Sequence, residues 1–267
     1  MSRSLAEAPI PVFTFVTSDE MYGEMLESFL VAGFNSAEAT FCRLTSRSRP
    51  GEPEPYSTIS ELIASVSEPY FILCHQDVRL DQGHGVPQLR AQIESLSATD
   101  PRWAVVGNAG GCSELRVIRR ITDPHGGSTP DSLPARVQSL DENFLVVRTG
   151  TGLACSPGLR GFHLYGTDLC MQARRHGFSS YVVDFHTRHL SGGKRGAATG
   201  DYRDCRSRLV ETWNPHFRAR YVRAPMEVLF FSRWGSARAL IGSSWTCRVI
   251  RNRAWLGRVI GAVLSRL

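Results

Sequence analysis

The sequence predicts an α/β fold, with a largely parallel sheet flanked by helices and a basic amphipathic helical tail at the carboxyl end. Three observations predict it. Short β-rich runs alternate with stretches of helical spacing. Two of the runs, residues 70–74 and 103–106, are apolar throughout, as strands covered on both faces are. Ten arginines and a single acid, Glu227, fall between residues 217 and 267, so the chain's net charge of +6 leaves the first 216 residues net acidic.

Residues 11–17 (PVFTFVT) form the first strand, and polar Ser18-Asp19-Glu20 close it. Residues 21–31 carry helical spacing, with Met25, Phe29 and Leu30 as core positions. Residues 39–44 read as a second strand, and 46–55, rich in Ser, Arg, Pro and Gly, as a loop. Ser57 or Ser60 caps a helix running to about Val66. The 70–74 strand ends at His75-Gln76-Asp77, and the 103–106 strand ends at a glycine-rich stretch, residues 107–111. Parallel sheets bind ligands outside the carboxyl ends of their strands. That rule gathers Thr17-Ser18-Asp19, His75-Gln76-Asp77 and the loop bearing Gly110 and Gly111 at one rim. The expected division is a body of residues 1–216 and a tail of 217–267.

Composition narrows the functional classes. The seven cysteines form no C-x-x-C pair, which argues against a zinc ribbon and a disulfide framework and suits a reducing cytoplasm. Glu7 and Pro9 precede any apolar run, unlike a secretory signal. No stretch has the roughly 18 uninterrupted apolar residues of a spanning helix.

Three segments carry chemistry. Asp77, at the end of a buried strand, is placed to hold a hard divalent cation, or simply to form a turn. Asp168 stands near the start of a helix that Gly177 closes, where a carboxylate meets free N–H groups, as a helix-start residue also would. Residues 181–195 deliver His186 and His189 on a strand and Lys194 and Arg195 after a Gly-Gly turn. Histidine can ligate manganese, and the two cations can neutralise a diphosphate; taken singly, these residues equally suit core and loop positions.

In their order, LCHQDV, VQSLDENFLVVR, GFHLYGTDLCMQARRHG and HLSGG resemble the family-2-like GT-A (Rossmann-like) glycosyltransferases, in the bacterial branch with His-x-Asp in place of Asp-x-Asp. The resemblance covers residues 70–193. It implies Mn2+ or Mg2+ held by Asp77 and His189, with His75 in place of the usual first acid. It implies a nucleotide-sugar donor and a glycan or lipid-linked acceptor; the strand-end rule sets Thr17, Gly110 and Gly111 at the rim for that donor, and Lys194 and Arg195 offer charge to its diphosphate. Asp168 matches the base of inverting members and Asp141 an acid facing the donor sugar. Gly166-Thr167 stand where many relatives have another acid. A role in bacterial surface-polysaccharide synthesis is the corresponding expectation. The competing readings are a non-catalytic sugar-nucleotide-binding protein and an adaptor for membrane or nucleic acid on the same fold.

In the tail, Trp245, Val249, Leu256, Ile260, Val263 and Leu267 share one helical face, flanked by Arg248, Arg251, Arg258 and Arg266. Such a helix lies in an anionic membrane interface or packs on the body. Nucleic acid is not expected, because the body is acidic and carries no recognised binding motif. The expected location is cytoplasmic, with the tail offering attachment to the inner face of the membrane.

Overall fold

The computed structural model describes residues 8–45, 54–81, 83–124, 126–129, 131–190, 200–253, 255, 256, 259, 260 and 263. The chain begins β1 (Ile10–Val16), α1 (Asp19–Val31), β2 (Ala39–Thr45), α2 (Pro55–Ser65), β3 (Tyr70–His75), β4 (Val78–Leu80), α3 (Val86–Thr99), β5 (Trp103–Gly107) and β6 (Ala109–Gly111). There follow β7 (Val117–Arg119), β8 (Ile121–Thr122), β9 (Ala135–Val137), β10 (Ser139–Leu140), β11 (Phe144–Arg148), α4 (Tyr165–Arg175), β12 (Ser179–Val182) and β13 (Thr187–His189). After α5 (Gly200–Trp213) come β14 (Arg220–Arg223), β15 (Val228–Phe231), α6 (Gly235–Ile241) and α7 (Ser244–Asn252).

The central sheet has seven strands in the order β2-β1-β3-β11-β5-β12-β9. Five run the same way, while β11 and the edge strand β9 run against them. The expected mostly parallel, helix-flanked sheet is therefore present. Strand alternation divides its side chains between two cores. Phe13, Phe71, Leu73, Leu145 and Val147 face α2, α4 and α5, whereas Val12, Ile72, Cys74 and Val146 face α1 and α3.

Several local expectations are corrected. Met25 and Phe29 are fully buried, but Leu30 is 54% exposed, and Tyr22 takes the remaining core position of α1. The cap of α2 is Glu54, whose carboxylate accepts the Ser57 N–H, so Ser57 and Ser60 lie inside the helix. The run expected to carry both histidines on one strand breaks after Val182, and β13 belongs to a separate sheet with β4 and β8. The chain after residue 216 starts with the β14–β15 hairpin rather than a helix. Val222, Leu229 and Phe231 of that hairpin belong to the main core, and the helical tail begins only at α6. Cys247 and Ile250 of α7 then pack on Leu115, Tyr221, Val228 and Phe230.

Candidate metal centre

The order β2-β1-β3 makes the gap between the carboxyl ends of β1 and β3 a topological switch point, where open α/β sheets bind ligands. Gln76 bridges that gap. Its Oε1 accepts the N–H groups of Thr17 and Ser18 at 2.9 and 3.0 Å, and its Nε2 donates to Thr17 Oγ1 at 2.7 Å. Arg79 braces the same turn by donating to the carbonyls of Gln76 and Val78, each at 3.0 Å, and by pairing with Glu24.

His75, Asp77 and His189 converge on this turn, each offering a ligand atom within 4.8 Å of the others. Antiparallel pairing places His189 opposite Val78, and the Leu190 N–H donates to the Asp77 carbonyl at 3.1 Å. Asp77 Oδ2 then lies 3.2 Å from His189 Nε2, and Asp77 Oδ1 lies 3.9 Å from His75 Nδ1. Burial pulls the His189 pKa down, but Asp77, with help from Asp141, outweighs it and holds that pKa above the ordinary value. Burial holds His75 below its ordinary value against the attraction of Asp77.

Two observations fit this cluster to a divalent ion. His189 Nε2 is buried and makes no aligned hydrogen bond, despite its proximity to Asp77. The other ring nitrogen of His75, Nε2, sits 3.2 Å from the Tyr165 hydroxyl, the outer hydrogen bond that orients a ligating imidazole. Two imidazoles and a carboxylate form a donor set that could hold a divalent metal ion.

Asp141 stands beside this cluster on a buried polar chain. Asn143 donates to Asp141 Oδ1 from its backbone N–H at 3.0 Å and from Nδ2 at 2.6 Å. Asn108 Nδ2 donates to Asn143 Oδ1 at 2.9 Å and to Thr187 Oγ1 at 2.5 Å. The chain links the ends of β5, β11 and β13. Next to Asp141, the Glu142 carboxylate accepts the Gly166 N–H at 3.3 Å, at the start of α4. Burial, then the charge of Asp141, pushes the Glu142 carboxyl well above the usual range.

The chain is 33% identical over 220 residues to the protein "ATP synthase subunits region ORF 6" of Fuscovulum blasticum, a match covering 78% of this chain and 85% of that protein. The chain belongs to that protein's family. No protein-family model matches the chain. Among solved structures, GalNAc-T7 with UDP, GalNAc and Mn2+ is similar with a TM-score of 0.46 and 13% identity, over 78% of this chain. The chain spans only 42% of the length of that structure. A197 from STIV is similar with a TM-score of 0.39 and 13% identity, over 65% of this chain and 81% of that one.

The structure distributes the remaining expected site residues unevenly. Thr17 is exposed at the rim and tied to the metal-centre turn through Gln76. Gly110 and Gly111 are not an open wall. They form β6, and a Cβ on Gly110 would collide with the Ser139 carbonyl, one on Gly111 with the Arg223 carbonyl. Close backbone approach explains both glycines. The structure places Asp168 in the core. It is fully buried, with Oδ2 accepting the Ser156 N–H at 2.7 Å and Oδ1 accepting Ser156 Oγ and Trp213 Nε1 at 2.6 and 2.7 Å. These bonds tie α4, the segment before it and α5 together and occupy both carboxylate oxygens. Lys194 and Arg195 lie outside the described residues. His186 pairs with Asp81 at 2.7 Å and lies 3.0 Å from Thr122 Oγ1, away from the cluster.

Sequence reasoning missed Gln76 as a bridge, and Tyr165 and Asn108 altogether. The signal for Gln76 was present, since it is the middle residue of the motif that supplies His75 and Asp77. Tyr165 and Asn108 act through partners distant in sequence, which no local pattern reveals.

Proposed function

We propose that this protein is a divalent-metal-dependent glycosyltransferase of the GT-A type, transferring a glycosyl group with inversion from a nucleotide sugar to an acceptor hydroxyl. The observation that carries this reading is the His75–Asp77–His189 cluster at the switch point of the sheet. The order of sequence motifs around it supports the same reading. His75 Nδ1, Asp77 and His189 Nε2 would hold the ion, with Tyr165 orienting His75. When bound, the ion supplies Lewis-acid neutralisation of the donor's diphosphate.

The other roles fall to groups of the chain. Thr17, fixed by Gln76, lines the donor side of the rim, and Lys194 and Arg195 are proposed to add charge against the leaving diphosphate. Asp141 faces the donor sugar, where a carboxylate favours oxocarbenium-like character. Glu142 replaces Asp168 as the proposed base. Its raised pKa and partial accessibility suit a group that takes a proton from a hydroxyl. Among the described residues no helix is long and apolar enough to cross a membrane. The proposed setting is the cytoplasmic face of a bacterial membrane, where a lipid-linked acceptor of surface-polysaccharide synthesis would be within reach of the basic tail.

Calorimetric titration of UDP and other nucleoside diphosphates, with and without manganese, tests the proposal. Manganese-dependent binding that disappears in Asp77→Asn, followed by donor turnover in the wild type, is the expected result. Metal-independent binding, or no nucleotide binding at all, removes it.

A further inference from the structure

A second site stands apart from the metal centre, at the amino ends of the parallel strands. Ser179 and Ser180 begin β12, which runs parallel to β5, so the cleft beside them lies at the end of the sheet opposite Asp77. Arg136 of β9, Arg174 of α4 and Arg220 of β14 line one cavity there, of about 40 Å³, together with Gln138 and Ser180. No acid lines it. None of the three arginines forms an ion pair among the described residues. Asp100 lies within electrostatic reach of Arg136, but its oxygens already accept the Tyr181 hydroxyl and the Arg102 N–H.

Plainer explanations cover single residues and leave the group unexplained. Arg174 in the last turn of α4 is favoured by the helix's carboxyl end. Arg136 guards an exposed sheet edge against pairing with another chain. Arg220 has neither reason. It is half-buried, stacks over Phe217 and comes from a different element. The cavity also leaves two buried polar atoms, Gln138 Oε1 and Ser180 Oγ, without a hydrogen-bond partner, although the Cys170 thiol lies beside Ser180. A Gln amide can turn to present its NH₂ instead, so both side chains can donate inward.

We propose that this cleft binds a phosphate group, either free or as the terminal phosphomonoester of a larger ligand. Guanidinium groups match tetrahedral oxyanions in bidentate geometry, better than ammonium groups do. A cavity of about 40 Å³ holds a few water-sized groups. That volume accommodates one such anion and excludes a whole nucleotide. The cations also burden one another without a counter-ion. Burial, with Arg136 beside it, depresses Arg174, and burial, with Arg174 beside it, brings Arg220 down to about 10. The inference does not depend on the glycosyltransferase reading.

The test titrates inorganic phosphate into metal-free full-length protein at constant ionic strength, with sodium chloride as the control, by calorimetry. Wild type and Asp77→Asn should bind phosphate alike, which separates this site from the metal centre. Arg174→Gln/Arg220→Gln should weaken binding at least tenfold. Arg136→Gln, a change at an exposed edge, should weaken it several-fold without altering the melting temperature, guarding against a misfolded double variant. A second arm offers vesicles containing phosphatidic acid. Retention that free phosphate competes away assigns the group to a lipid headgroup, and phosphate binding without retention assigns it to a soluble ester. Equal phosphate affinity in wild type and Arg136→Gln, or no heat beyond the chloride control, overturns the proposal.

Discussion

His189 and Asp77 meet because their neighbours are ladder partners. His189 is registered opposite Val78, and the Leu190 N–H closes on the Asp77 carbonyl, which leaves His189 Nε2 and Asp77 Oδ2 3.2 Å apart. Three positions earlier, His186 faces Asp81 and Thr122 instead. His189→Ala should therefore lower manganese affinity by tenfold or more, and His186→Ala should leave it within about twofold, the contrast between a ligand and a residue outside the first and second shells. Electron paramagnetic resonance titration of free manganese measures both. A larger loss in His186→Ala would make His186, not His189, the ligand.

Under the proposed metal site, Tyr165 holds His75 in place from outside. Its hydroxyl is 3.2 Å from His75 Nε2, and the ring is buried edge-on against Tyr56. Tyr165→Phe keeps the ring and removes the hydroxyl's bonds to His75 Nε2 and, at 3.5 Å, to the Glu142 carbonyl. Manganese affinity should fall by about tenfold to a hundredfold, the usual range for an outer-shell partner, with the melting temperature little changed. An unaltered affinity would mean that packing alone orients His75.

Asp168 should behave as a structural acid. An Asn there has one acceptor and an NH₂, so one of the donors now served, Ser156 N–H or the Ser156 Oγ and Trp213 Nε1 pair, meets another donor. Asp168→Asn should cost about 1–3 kcal/mol of stability, seen in urea unfolding. Burial raises the Asp168 pKa despite its three donors. The sign follows: the folded chain holds this proton more tightly than the unfolded one. The associated stability is therefore full below the ordinary Asp value of about 4 and is lost as pH rises through the higher folded value. Asp168→Asn should lack that slope. A variant with wild-type stability and lost turnover would instead restore Asp168 as the base.

Glu142 is the alternative base, and the two carboxylates separate by what they perturb. Glu142→Gln should bind manganese and a nucleoside diphosphate like wild type while turnover falls by about a hundredfold or more. Turnover that survives the substitution would leave Asp141 as the remaining acid beside the cluster.

The sheet and the strand-end Asp77 were legible for a physical reason, because both rest on local patterns, whereas His189, 112 positions beyond Asp77, is singled out only through the family resemblance. Apolar runs at 70–74 and 103–106 and the polar residues that close them are properties of adjacent residues, and the switch-point rule converts strand ends into a site. What escaped depends on partners far along the chain. Gly110 and Gly111 read as a glycine-rich loop at the donor rim, but a close backbone approach to Ser139 and Arg223, the latter 112 positions beyond Gly111, accounts for them. The antiparallel β11 between β3 and β5 carries the same buried pattern as a parallel strand, so its direction was invisible. Asp168 illustrates the same limit, because a helix-start carboxylate looks alike whether it faces a substrate or Trp213.

The tail prediction changes most in the light of the fold. The tail packs through a face other than the expected one, and among the described residues of the expected face only Ile260 joins the cluster on the hairpin, while Val263 stays 57% exposed. Cys247 and Ile250 pack on the β14–β15 hairpin, whereas Trp245 is 73% exposed and Trp255 53% exposed. Removing everything after residue 225 would strip Leu229 and Phe231 from the main core and unfold the body whether or not the tail meets a membrane. Point substitutions avoid this. Trp245→Ala/Trp255→Ala removes two exposed indoles of the kind that settle at headgroup depth. Arg248→Gln/Arg251→Gln removes two charges worth about 1 kcal/mol each near an anionic surface. If the remaining face docks on a cytoplasmic leaflet, wild type should float with anionic vesicles, release as salt rises, and ignore neutral ones. Either pair should reduce flotation by tenfold or more, with urea unfolding unchanged, because none of the four side chains is part of the buried cluster that holds α7 in place. Flotation that is indifferent to both pairs, or absent in wild type, leaves α7 as a helix packed on the hairpin and Leu115 beneath it.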